Sequence, residues 1–67
     1  LNKKVETLQT ELNFMETGRQ NLRFQILNRE RFGISKAELS LIRAQLASMD
    51  TGCAIIKARM ELIEKEK

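Results

Sequence analysis

The chain of 67 residues reads as an all-α protein, an antiparallel two-helix coiled-coil hairpin. Three observations predict it. Two apolar stripes each step by alternating threes and fours, the spacing of a heptad seam. They are mirror images about Ile34, so folding the chain there sets one core position against another. Signals that stop one helix and start the next stand together at that same point.

The first helix is expected over residues 1–31, with the stripe Leu1, Val5, Leu8, Leu12, Met15, Arg19, Leu22 and Ile26. A turn follows over residues 32–35. Gly33 suits the left-handed conformation that closes a helix, and Arg29 and Arg31 favour the negative end of the helix dipole. Ser35-Lys36-Ala37-Glu38 has the form of a capping box, with Ile34 placed to staple against Leu39. The second helix is expected over residues 36–66, with the stripe Leu39, Ile42, Leu46, Met49, Cys53, Ile56, Met60 and Ile63. Residues equidistant from Ile34 then meet: Ile26 with Ile42, Leu22 with Leu46, Arg19 with Met49, Met15 with Cys53, Leu12 with Ile56, Leu8 with Met60, and Val5 with Ile63.

The flanks of the seam carry further information. With seam positions lettered a and d, the g positions that meet across the pair are Lys4 with Glu66, Glu11 with Arg59, Gly18 with Gly52, and Gln25 with Gln45. This flank is complementary and supports the same register. The opposite flank sets Glu16 beside Asp50 and Arg23 beside Arg43, with Arg19 placed to neutralise the acidic pair. A short internal repeat, Met15-Glu16-Thr17-Gly18 and Met49-Asp50-Thr51-Gly52, is read as coincidence or duplication. A parallel dimer of long helices remains the competing architecture, because glycine inside a helix costs only about 1 kcal/mol.

A chain this short has room for one small domain. A bare pair of helices is marginal at this size, so completion to a three- or four-helix bundle by self-association or a partner is expected. With heptad phase already established at Leu1 and no stop signal at the far end, it reads as a segment of a longer protein. The longest uncharged run is far below a membrane span, and no secretory leader is evident. Cys53, the single cysteine, falls on the seam and is expected to act as a small hydrophobe in a reducing, cytoplasmic setting.

The chemistry-bearing residues point away from catalysis. There is no histidine, tyrosine or tryptophan, no glycine-rich phosphate loop, and no group of cysteines at metal spacing. The paired Glu16 and Asp50 have no pocket to raise a carboxyl pKa. No enzyme activity, cofactor or metal is therefore expected.

Two surfaces are candidates for binding. Leu41, Ile55 and Leu62 occupy c positions on the second helix and Phe14 a c position on the first, on the same side as Gly18 and Gly52. The expected result is a discontinuous apolar strip beside a glycine notch, over which another helix could lie. Alanines at 44, 47, 54 and 58 keep the second helix slim and permit close packing. The other candidate is the hairpin tip. From Arg19 to Arg43, six basic residues oppose two acidic ones; that segment is +4 within a chain of +3, leaving the stems at −1. Arg23, Arg29, Arg31, Lys36 and Arg43 form this basic tip, with Phe24, Leu27 and Phe32 close by. Nucleic-acid phosphates or an anionic membrane surface are the partners it would suit.

The stretch Thr17-Gly18-Arg19-Gln20-Asn21-Leu22-Arg23 resembles the glycine-x-x-asparagine-leucine signature of the Rho-effector homology-region-one domains. Gly18, Asn21 and Leu22 carry the match, Arg19 stands where alanine is common, and the second helix agrees only as a leucine heptad through Leu39 and Leu46. The resemblance implies an antiparallel coiled-coil finger that binds small GTPases of the Rho and Rac type. The residues read on their own favour a non-enzymatic protein-interaction and assembly module, a scaffold whose partner is another helix or hairpin of its own or another protein. A small-GTPase-binding finger and a tip that binds nucleic acid or membrane are the alternatives.

Overall fold

A computed structural model describes residues 2–66. Two helices, α1 (Lys3–Leu27) and α2 (Lys36–Lys65), fold back on one another as an antiparallel hairpin. The rod measures 49 × 16 × 12 Å, close to the roughly 45 Å that a 30-residue helix spans at 1.5 Å per residue. The continuous-helix alternative is set aside by the reversal at Gly33.

The seam forms where the periodicity places it. Leu8, Leu12, Leu22, Ile42, Cys53 and Ile56 are buried, and the other described seam positions are half-buried. Leu1 lies outside the described residues. Leu8, Leu12, Cys53 and Ile56 form one continuous cluster, with Met15, Met60 and Ile63 packed against it. Arg19 occupies a seam position without being apolar, and its side chain is 22% exposed.

Asn2 caps α1 by accepting a hydrogen bond from the Lys4 amide at 2.9 Å. Regular helix then ends at Leu27, four residues before the expected Arg31. The backbone leaves helical geometry at Asn28 (φ −110°, ψ 25°), whose amide and side-chain amide both donate to the Phe24 carbonyl, at 3.0 and 2.8 Å. Such local side-chain bonds compete with helix continuation. The next amide, Arg29, bonds the Ile26 carbonyl three residues back instead of four. Although Arg29 falls beyond the helix, its guanidinium donates to that same carbonyl at 3.0 Å, the end-of-helix role its charge suggests.

The chain closes one turn later, at the glycine. The Ile34 amide bonds the Arg29 carbonyl at 2.9 Å and the Gly33 amide bonds Glu30 at 3.1 Å, the paired bonds of a Schellman motif. Gly33 has φ 66°, in the left-handed region where a side chain costs about 1–2 kcal/mol. A Cβ there would meet no neighbour. Gly33→Ala is therefore expected to lower stability by about that amount through backbone strain alone, with Gly33→Asn less harmful; a denaturant titration of both variants reads the difference. Equal stability for alanine and glycine would remove the turn from the list of features that fix the fold.

Ser35 caps α2, its hydroxyl accepting from the Glu38 amide at 3.1 Å. Phe24 and Phe32 pack ring against ring, with centroids 5.9 Å apart and planes tilted by 57°. That contact ties the turn back onto α1, so these two rings are engaged within the hairpin.

Candidate interaction face

The midpoint of the rod is built from the repeated Met-acid-Thr-Gly segment. In each copy the methionine and the glycine are three residues apart and share a helix face. Antiparallel pairing sets each methionine on the other copy's glycine. A Cβ built on Gly52 would lie 3.0 Å from Met15 Sδ and 3.1 Å from its Cε. One built on Gly18 would lie 3.1 Å from Met49 Cε and 3.2 Å from its Sδ. The glycine gap anticipated as a notch for an outside helix is thus occupied by the hairpin's own methionines. Flexible thioether chains fill irregular space readily, and each methionine here, at the waist of the rod, covers the glycine of the facing helix.

Beside this waist, the predicted strip stands out from the surface. Phe14 is 73% exposed, Leu41 71%, Ile55 54% and Leu62 57%. All four lie on the g-and-c side of the rod, together with the half-buried Gly18 and Gly52. At the stem end this face deepens into a groove between the helices. Leu8 and Leu62 line it, with Lys4, Glu11, Arg59 and Glu66 around them. The charged residues expected to pair across this flank therefore face one groove, but neither Lys4 with Glu66 nor Glu11 with Arg59 closes to ion-pair distance among the described residues. Solvated side chains gain little from holding such a contact. Gln25 likewise donates to Asn21 on its own helix, at 3.2 Å, and not to Gln45.

The opposite flank resolves its like charges through Asp50. Arg19 approaches that carboxylate at 3.3 Å and Arg23 at 3.7 Å. The expected neutralisation by Arg19 is therefore made to Asp50, the acid on the facing helix. Arg19 Nε is buried without a hydrogen-bond partner, so this seam position trades apolar packing for a cross-helix ion pair. Sharing by two guanidinium groups also draws Arg23 away from the tip.

The remaining basic tip is dispersed. Arg23, Arg29, Arg31, Lys36 and Arg43 are all exposed, but Arg23 leans toward Asp50 and Arg29 is bonded to the Ile26 carbonyl. Leu27 is 80% exposed nearby. Of the residues in the homology-region-one resemblance, Leu22 is buried in the seam while Asn21 is exposed.

Fold and face together define a class: an all-α helical hairpin with a buried seam and four exposed apolar residues on one side, among charged ones. No protein-family model, curated protein or solved structure matches the chain. No helix among the described residues is long and apolar enough to cross a membrane.

Proposed function

We propose that this hairpin is a non-enzymatic coiled-coil assembly module, and that its apolar face packs against a further helical element to complete a larger bundle. The exposure of Phe14, Leu41, Ile55 and Leu62 along one side carries this reading. A two-helix seam does not need these residues for its own closure. Scattered apolar residues are normal on protein surfaces, but four large ones on one side of a rod this thin are more than its own seam requires and suit a contact site. The small size adds a thermodynamic motive, because one narrow seam supplies only about 3–5 kcal/mol in a domain of this length.

The reading separates from polyanion binding by salt. Apolar association is insensitive to ionic strength, whereas phosphate contacts weaken steeply as salt rises. Sedimentation of the chain at low and high salt, with and without Ile55→Glu, is the direct test. The expected result is salt-insensitive association that Ile55→Glu abolishes while helix content is retained. Association unchanged by Ile55→Glu would overturn the face as the contact.

A further inference from the structure

We propose that Arg19 locks the register of this hairpin: its pair with Asp50 selects one alignment of α1 on α2 among several that the apolar seam accepts equally. The lock does not depend on what covers the apolar face. A heptad seam is ambiguous by sevens. Sliding α2 by one heptad either way still sets apolar against apolar wherever the helices overlap, with Met15 facing Leu46 or Met60 in place of Cys53. Arg19 meets an apolar residue in all three alignments, Met49 in the observed one and Ile42 or Ile56 in the others. The seam by itself therefore does not choose.

The choice is made on the flank beside it. There α2 carries Lys36, Arg43, Asp50, Lys57 and Glu64 at seven-residue intervals, so Asp50 has a cation one heptad to either side. In the observed alignment Arg19 approaches Asp50 at 3.3 Å and Arg23 at 3.7 Å, and both cross-helix ion pairs among the described residues end on this one carboxylate. Sliding α2 one way brings Lys57 to that place, and sliding it the other way brings Arg43. Attraction becomes repulsion in both. A parallel dimer meets the same objection, because equivalent heptad positions then face each other and Arg19 lies against Arg19 of the second helix. An open surface pair would discriminate little. Arg19, however, is held at the seam, 22% exposed and with its Nε buried, where a second cation is felt more strongly than in bulk water.

A polar residue at one seam position fixes alignment at a cost in stability, which accounts for an arginine where leucine would pack better. Asp50 stands at the middle of α2, so the pair holds the stems at a point remote from the capped turn at Gly33 and Ser35. The alignment in turn sets the layout of the outer surface. Residues equidistant from Ile34 lie level, which places Phe14 level with Ala54 and beside Ile55. A slip of one heptad carries Phe14 about 10 Å along the rod and breaks up that side.

Cys53, free and on the seam, is a built-in reporter of alignment. Its partner is Met15 in the observed register, Leu8 or Leu22 in the slipped ones, and Cys53 of a second chain in the parallel dimer. Met15→Cys, Leu8→Cys and Leu22→Cys are each equilibrated in a glutathione redox buffer, with and without Arg19→Leu, and the yield of the disulfide to Cys53 is measured. Each variant is compared with itself, so the loss of the original seam side chain cancels, and circular dichroism checks helix content. With Arg19 in place, the Met15→Cys bond is expected to predominate. Arg19→Leu is expected to raise the Leu8→Cys and Leu22→Cys bonds relative to it by about tenfold. The chain-to-chain Cys53 bond, at twice the 7.8 kDa mass, is expected to rise with them, while the denaturation midpoint does not fall. High salt is expected to shift the parent chain in the same direction and the Arg19→Leu chain far less. Exchanging the two charges, Asp50→Lys with Lys57→Asp, leaves the net charge unchanged and moves the acid by one heptad. It is expected to shift the yield toward the Leu22→Cys bond. A distribution of disulfides unmoved by Arg19→Leu overturns the lock, and so does one unmoved by the charge exchange, which keeps the seam intact.

Discussion

Truncating Ile56 to alanine is expected to unfold most of the chain at high dilution. Ile56 is 3% exposed and belongs to the cluster formed by Leu8, Leu12 and Cys53. Removing its outer carbons from such a site costs about 2–5 kcal/mol, through lost transfer energy and the cavity left behind. A fold of this size holds only about 3–5 kcal/mol in its core, so the loss is comparable with the whole. Phe14→Ala is the control. Its ring is 73% exposed, and surface substitutions of that kind usually move stability by less than about 0.5 kcal/mol. Circular dichroism through a denaturant titration at low chain concentration reads both variants. An unchanged midpoint for Ile56→Ala would mean that the seam does not hold the hairpin together.

Much of this architecture is legible in the sequence because it depends on periodicity. A heptad repeat fixes which side of a helix is apolar, and the mirror relation about Ile34 fixes which residues meet. The observed burial follows those positions, including Arg19, which is half-buried at its seam position despite its charge. The turn is similarly legible at Gly33 and Ser35, whose conformational and capping preferences are local. The end of α1 is not, because it falls at Asn28, where the backbone turns out of helical geometry while the side chain adds a second bond to the Phe24 carbonyl. Helix propensity averages over such a choice and places the boundary too late.

Outside the seam, heptad letters predict proximity better than contact. Lys4 and Glu66 border one groove without pairing, while Asp50 gathers two arginines. Which long side chains touch is decided by rotamers and solvation. The exposed strip is readable because Phe14, Leu41, Ile55 and Leu62 lie at c positions, where a two-helix seam leaves side chains uncovered. The glycines mislead for the opposite reason. Their g positions suggest an outward gap, whereas the reach of Met15 and Met49 closes it. The signal is present in the repeat: each glycine follows a methionine by three residues, and antiparallel pairing exchanges the two.

That exchange makes Gly52→Val the second large effect expected. A Cβ at Gly52 already lies 3.0 Å from Met15 Sδ and 3.1 Å from Cε, and valine adds two methyl groups beyond it. Valine is only slightly better than glycine in helix propensity, so relief of backbone entropy is small. Overpacking of a filled site typically costs about 1–3 kcal/mol, and that term decides the sign. The Met15→Ala background distinguishes this cause from a general intolerance of valine in α2. There the methionine is gone, and the same Gly52→Val change is expected to become nearly neutral or favourable. The resulting non-additivity marks a direct contact, since separate sites add within about 0.3–0.5 kcal/mol. Denaturant titrations of the two single variants and the double, at dilution, complete the cycle. Additive losses would mean that Met15 yields freely and that the glycine serves some other need. A coupled cycle would place the methionine–glycine exchange among the contacts that set the register of the hairpin, a function that seam periodicity alone leaves open to slippage by a heptad.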